Sequence, residues 1–340
     1  LICSMYTLSC INDVLALNRN DELVEVTIEK DQDYKSIIDT LGDAKLIKHE
    51  WFCKLMTKFR HFDQKSYING VYFLTGDMGV EGMLSEMTQT QSSNETVRLS
   101  FPEGWTIPQI FKKLEENNVC PADYLYTALR EVEFDYDFVS NVPTDNGRCF
   151  ALEGYLFPDT YDFFVSDNQN GMGENPNSVI RKFLANFESK WSEVYEKRAQ
   201  ELGLTMDEVI IIASIIQKEA ADESQMEDIS SVIHNRLNNK GSYPTLGCDS
   251  TKKYVENYLT SLMGDAQASV YTNAYDTNSL RSGLPAGPIC SPGVDAIEAA
   301  LNPSDTNYFY FCHNNKGKIY LASTYNEFQA NWAQVLRDNA

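Results

Sequence analysis

Positive charge is scarce in this sequence: 28 Lys and Arg stand against 49 Asp and Glu over 340 residues, a net charge of −21. A nucleic-acid binder neutralises phosphates with Lys and Arg, so this balance argues against a nucleic-acid partner. Metal-ligand patterns are missing too. The eight cysteines (3, 10, 53, 120, 149, 248, 290 and 312) include no C-x-x-C pair, and the four histidines form no H-x-x-x-H or H-E-x-x-H motif. No metal and no other cofactor is expected. Their even number permits disulfides in many connectivities, and buried free thiols are the simpler reading. Charge is also absent from residues 1–12, where Asp13 is the first ionised group. A bilayer span takes about 20 apolar residues. This stretch therefore reads as an ordinary helix or as the outer end of a membrane anchor.

What is present supports packed domains. Hydrophobic residues make up 43% and aromatics 12%, enough for real cores, and the length suggests about two or three domains. Residues 24–28 alternate apolar and polar like a half-buried strand. Tyr34, Ile37, Ile38 and Leu41, then Trp51, Phe52, Leu55, Met56 and Phe59, recur at helical spacing before a second strand over 68–74. A constant shift of 73 carries Val24, Val26, Ile28, Ile37, Leu41 and Leu46 onto Val97, Leu99, Phe101, Ile110, Leu114 and Val119. The strand–helix–helix–strand unit thus repeats. In the second copy Thr106 precedes a helix opening near Pro108, and the returning strand is expected at 154–157, after a longer loop around 143–147. Helices at 80–87 and 179–187 follow the two copies, with 92–95 as the linker between them.

Downstream, Thr205 and Glu208 form a capping box opening a helix whose residues 209–216 are apolar except Ser214. It exits into Gln217-Lys218-Glu219. A second box, Ser224 with Glu227, is expected to open the next helix, which stops near 238–241. A carboxyl group at the end of a buried helix is desolvated and faces the negative end of the helix dipole. Both raise its pKa and would suit Glu219 to general acid work near neutral pH. The plainer alternative is a solvated Glu219 paired with Lys218 or Arg236. Residues 283–289 are a Gly/Pro-rich loop, and 308–311 with 318–321 read as a hairpin before a closing helix at 325–336.

Four ordered motifs sharpen this reading. They are Leu-Glu-Gly-Tyr-Leu-Phe-Pro-Asp-Thr-Tyr at 152–161, Ala-Ser-Ile-Ile-Gln-Lys-Glu-Ala at 213–220, Asn235-Arg236-Leu237, and the Gly/Pro loop at 283–293. Together they resemble the YceG-like endolytic murein transglycosylase family over residues 24 to 340. The resemblance implies an α+β fold, with LysM-like strand–helix–helix–strand elements followed by a mixed α/β catalytic domain. Residues 1–23 would be the membrane-proximal end of an N-terminal anchor. Residues 24–95 and 96–150 would be LysM-like units, and 151–340 the catalytic domain. It implies a single-pass cell-membrane protein with its catalytic domain on the extracytoplasmic side. That protein would cut peptidoglycan glycan strands, with cell-wall synthesis proteins as partners.

Glu219 aligns with the family's catalytic glutamate, in a segment that often reads E-K-E and here reads Gln217-Lys218-Glu219. One acid suffices for the implied reaction. Glycosidases need two carboxylates, whereas a lytic transglycosylase uses the muramic acid's own C6 hydroxyl as nucleophile. Glu219 would protonate the leaving oxygen and then take the hydroxyl proton, leaving a 1,6-anhydro end. Substrate-binding candidates are Glu153, Tyr155, Tyr161, Lys218, Asn235, Arg236, Asp249 and Thr251. Glu153 could instead orient Glu219 or cap a turn, and some of the aromatics must be core. Two stretches depart from the family pattern: Cys248-Asp249-Ser250-Thr251 lacks a proline, and Tyr275-Asp276-Thr277-Asn278 stands for Y-N-T-Y. The competing functions are a hydrolytic muramidase and a non-catalytic peptidoglycan-binding scaffold.

Overall fold

The computed structural model of the chain describes residues 2–15, 23–29, 32–65, 67, 70–88, 96–132, 134–144, 146–166, 173–278 and 282–340. The fold is α+β, with many helices and, among the described residues, three two-stranded sheets. Helix α1 (Ile2–Leu15) precedes β1 (Leu23–Ile28), α2 (Tyr34–Asp43), α3 (Glu50–Phe59) and β2 (Gly70–Thr75). β1 and β2 pair antiparallel, from Leu23 opposite Thr75 to Ile28 opposite Gly70. Asp33 caps α2 by accepting the Ser36 N–H at 2.9 Å. Ile37, Ile38 and Leu41 pack with Val26, Ile28 and Leu74, and with Val80, Met83, Leu84 and Met87 of α4 (Gly79–Thr88).

The uncharged N-terminal stretch is part of this core. α1 packs on α3 and α4, and the buried Asp13 carboxylate accepts the N–H groups of Lys48 and His49 at 2.9 and 2.7 Å, just before α3. No helix of the described residues is long and apolar enough to cross a membrane. α3 departs from expectation. Phe52 and Met56 pack on the core, but Trp51, Leu55 and Phe59 face outward. Helical spacing finds a stripe without saying which of two stripes is buried.

The second copy comprises β3 (Thr96–Ser100), α5 (Ile107–Glu116), α6 (Ala122–Glu131), the short α7 (Asp137–Ser140) and β4 (Thr160–Phe164). β3 pairs with β4, so the strand–helix–helix–strand order recurs. The returning strand is not 154–157, however. Residues 152–158 are buried without alternation, and Gly154 has φ +90°, a turn conformation that breaks a strand. The expected linker at 92–95 lies outside the described residues.

The chain divides into two compact units, each discontinuous in sequence. Unit 1 holds residues 1–97, 114–132 and 162–179; unit 2 holds 98–113, 133–161 and 180–340. Along unit 2 run α8 (Pro176–Lys190, from residue 180), α9 (Glu193–Leu202), α10 (Met206–Glu219), α11 (Met226–Asn238) and α12 (Asp249–Tyr254). A π turn at Val255–Leu259 and short helices α13 (Thr260–Met263), α14 (Asp265–Ala268) and α15 (Thr272–Tyr275) follow. Then come α16 (Val294–Leu301), the antiparallel hairpin β5 (Tyr310–His313) and β6 (Ile319–Ala322), and α17 (Tyr325–Asp338). α10 is the centre, packed along α16, α11 and α9.

The Thr205–Glu208 capping box forms with both reciprocal bonds. The Ser224–Glu227 box does not. A 3₁₀ turn at Glu223–Gln225 intervenes, Asp222 caps it by accepting the Ser224 N–H at 3.0 Å, and α11 starts at Met226. Cys10, Cys53, Cys120, Cys149, Cys248, Cys290 and Cys312 are free thiols, and burial pushes Cys53, Cys120 and Cys149 up to about 12, a range in which a thiol is inert at neutral pH.

Candidate active site

α10 is anchored at its start and buried through its middle, which fixes where its end emerges. Ser214, the one polar residue of the apolar run, is a fastening point. Its hydroxyl accepts the Ile289 N–H at 3.1 Å, and its carbonyl accepts the Cys290 thiol at 3.3 Å. One turn on, Gln217 Oε1 accepts the Gly293 N–H at 2.9 Å, and Lys218 Nζ donates to the Gly104 carbonyl at 3.1 Å. Gly104 and Trp105 exchange backbone bonds with Ser291, both at 2.8 Å. The 283–293 loop is thereby sewn along the last two turns of α10. The 152–161 motif joins the same assembly. A Cβ on Gly154 would lie 2.6 Å from Pro288 and 3.0 Å from Ile210, so only glycine allows this approach.

Glu219 ends α10 half-buried, and Oε1 accepts the Ser250 N–H at 3.2 Å from the first turn of α12. Burial raises its pKa, Asp249 adds to the rise, and Ser250 and Lys253 oppose it. The stretch carrying Ser250 is held by the two segments that departed from the family pattern. Thr251 and Thr277 hydroxyls meet at 2.9 Å, the Gly247 N–H donates to Thr277 O at 2.9 Å, and Asn278 Nδ2 donates to Asp249 Oδ1 at 2.8 Å. A threonine–threonine bond thus ties the first turn of α12 to the 275–278 stretch.

The sequence-read binding residues fall into two groups. Glu153, Tyr155 and Thr251 are each 0% exposed, and side chains so enclosed have no surface to offer a sugar. Glu153 accepts the Ile107 N–H at 3.1 Å, at the start of α5, and the Tyr254 hydroxyl at 2.9 Å, at the end of α12. Of the roles read for it, a cap and a support of Glu219 through α12 are the ones its position allows. The Tyr155 ring stacks on Phe138, and its hydroxyl donates to Asp207 at 2.7 Å. Lys218 and Asp249 are exposed and Tyr161 is half-buried, its hydroxyl donating to Phe157 O at 2.7 Å. Asn235 donates to the carbonyls of Thr306 and Tyr308 at 3.0 and 2.9 Å. Arg236 donates to those of Phe309 and Leu246, both at 2.6 Å. Neither pairs with the acids Glu227 or Asp228 in these contacts. Arg236 also stacks beneath Tyr243 and Tyr310, with Tyr243 lying flat on Phe309 at 4.5 Å. This half-buried aromatic group was not picked out in the sequence, because Tyr243 lies far along the chain from Phe309 and Tyr310 at the start of β5.

Arg148 was missed as well. Its side chain is 1% exposed and binds Asp207 through two bonds of 3.1 and 2.6 Å, with further bonds to the carbonyls of Ala151 (3.3 Å) and Ala286 (3.0 Å). One guanidinium therefore joins the first turn of α10, the 146–151 loop and the Gly/Pro loop. Nothing local marks it, since an arginine in a polar loop ordinarily faces water.

Glu153 gives a first testable outcome. Desolvation pushes its carboxyl up to about 8, against an ordinary value of 4.5. The folded state keeps a proton that the unfolded chain releases, so this group's stabilisation is full below about 4.5 and lost as pH rises towards 8. Glu153→Gln, which keeps the shape and the acceptor for the Ile107 N–H while its amide NH2 would donate to the Tyr254 oxygen, is expected to flatten the decline in melting temperature between those pH values. Melting curves at matched ionic strength for both proteins measure the difference.

Comparison with known proteins adds to this geometry. The chain is 27% identical over 352 aligned positions to the endolytic murein transglycosylase of Streptococcus pneumoniae strain R6, covering 95% of this chain and 60% of that protein. It thus spans about three fifths of that relative's length. The endolytic murein transglycosylase of Bacillus subtilis strain 168 is 24% identical, with 89% of this chain and 82% of that protein covered. A crystal structure of a YceG-like protein from Listeria monocytogenes superposes with a TM-score of 0.54 at 25% identity, covering 92% of this chain and 99% of that one. A model of the YceG-like family matches residues 26–334, and the chain belongs to that family.

Proposed function

We propose that this chain is a peptidoglycan lytic transglycosylase, with Glu219 as general acid and then base. The observation that carries the reading is the state of that carboxyl. It closes a buried helix whose last two turns are bonded to the Gly/Pro loop, and burial raises its pKa, the direction a general acid needs. In the first half-reaction the protonated Glu219 gives its proton to the glycosidic oxygen between MurNAc and GlcNAc as that bond breaks. In the second, the carboxylate takes the proton of the C6 hydroxyl as its oxygen closes on C1. The chain ends in 1,6-anhydro-MurNAc and no water enters. The Ser250 N–H steadies the carboxylate between the two halves. Lys218 and Asp249 are the exposed sequence-read candidates, Tyr161, Asn235 and Arg236 are half-buried ones, and Tyr243 and Tyr310 offer rings for sugar stacking.

The names of the relatives support the substrate. The same reading places the chain outside the cytoplasmic membrane, with an N-terminal anchor, LysM-like units over 24–95 and 96–150, and cell-wall synthesis proteins as partners. Asp249 favours a second reading. A carboxylate beside Glu219 could activate water instead, which makes the enzyme a muramidase. Mass spectrometry of products from purified glycan strands decides. Anhydro ends, lighter by one water than reducing ends, are expected. Reducing ends alone would favour hydrolysis, and binding without cleavage would favour the scaffold.

A further inference from the structure

Unit 1 carries an apolar stripe that its own core does not use. On α3, Trp51, Leu55 and Phe59 recur every fourth residue and are 57%, 55% and 83% exposed. Tyr6 of α1, 51% exposed, extends the stripe, and its hydroxyl accepts the Trp51 indole N–H at 3.3 Å. Single exposed apolar side chains are ordinary, whereas four large ones in a row mark an interaction surface.

The charge around the stripe runs against the rest of the chain. Between residues 45 and 65 there are six Lys and Arg and two Asp and Glu, in a protein of net charge −21. Lys54 and Lys58 lie three residues beyond Trp51 and Leu55, so they line one flank of the stripe. Lys54 also holds Asp39, while Lys58 and Lys48 are exposed. An aromatic and aliphatic face bordered by lysines, on an otherwise acidic protein, has the chemistry of a helix lying in a lipid interface.

We propose that this face of α3 seats on an anionic lipid surface. Trp51, Leu55, Phe59 and Tyr6 enter the boundary between headgroups and acyl chains, and the exposed Lys48 and Lys58 meet the lipid phosphates. Charge complementarity selects this occupant. A second copy docked through the same face would bring two lysine rims together. A glycan strand would want ring faces interleaved with polar groups, and Leu55 at the centre of the stripe supplies neither. The proposal rests on unit 1 alone and is independent of the reaction at Glu219.

Flotation of the whole chain with phosphatidylglycerol–phosphatidylcholine vesicles tests it, alongside vesicles of phosphatidylcholine only. The chain is expected to float with the anionic vesicles, less so as salt is raised, with a blue shift of tryptophan emission that Trp51→Phe removes. The triple variant Trp51→Ser, Leu55→Ser, Phe59→Ser changes only exposed positions and is expected to lose at least about tenfold in binding with an unchanged circular dichroism spectrum. Lys48→Glu with Lys58→Glu is expected to lose about tenfold on anionic vesicles. Failure of the wild-type chain to float, or equal binding by the triple variant, would overturn the proposal. So would a stripe that is covered only by self-association or only by soluble glycan strands.

Discussion

Glu219→Gln is expected to lower glycan-strand cleavage by roughly 10²–10⁴-fold, and further if one group serves both half-reactions. Glutamine fills the same space and still accepts the Ser250 N–H, so the fold and strand binding should persist. What it removes is a proton that can be given and taken back. The measurement is cleavage rate against strand binding for wild-type and variant proteins, with melting temperature as the check on folding. Full activity in the variant would remove Glu219 as the acid. The wild-type rate should also fall as pH rises through the raised Glu219 pKa, because the first half-reaction needs the protonated form. Gln217→Ala is a useful contrast. It deletes no proton-transfer group but takes the acceptor from Gly293, so a smaller loss is expected.

The largest stability effect is expected at Asp207. Asp207→Ala leaves the Arg148 guanidinium buried without its anion, and breaking such a pair costs about 3–5 kcal/mol. Chemical denaturation of the variant should show a lowered midpoint with a similar slope. The loss should be felt at three places, since Arg148 also holds Ala151 and Ala286. The double variant Arg148→Met, Asp207→Leu should recover much of the stability, because it removes the stranded charge along with the pair. If Asp207→Ala melts like the wild type, the ion pair contributes nothing net and the Gly/Pro loop is held by its backbone bonds alone.

These two residues mark how far the sequence could be read. Local signals carried well. The alternation at 24–28 became β1, the Thr205–Glu208 box opened α10, and the closing hairpin and helix fell within two residues of expectation. Glu219 stood out through its motif, since a glutamate at a helix end is ordinary when taken alone and the four ordered motifs are what single it out. The failures arose where the deciding partner is remote in sequence. The stretch at 154–157 looks like a strand until Pro288 and Ile210 are known to press on Gly154. Ser224 is the exception, a failure at short range: Asp222, two residues before it, takes its amide. Glu153 looked like a sugar contact, but its partners Ile107 and Tyr254 lie 46 residues before and 101 residues after it. Arg148 and Asp207, 59 residues apart, give no periodic signal at all.

The discontinuity of the two units has a consequence in time. Unit 1 begins at the first residue but takes its last stretch from 162–179. A chain emerging from a ribosome at about 5–20 residues per second completes β1, β2 and α4 on the order of ten seconds before that stretch exists. In that interval the residues of the hydrophobic core, all between 14 and 87, are already made, while residues 162–179 of the same unit are still to come. No single cut in the chain separates the two units, so a protease or a gene truncation that ends near residue 97 delivers an incomplete half rather than a domain.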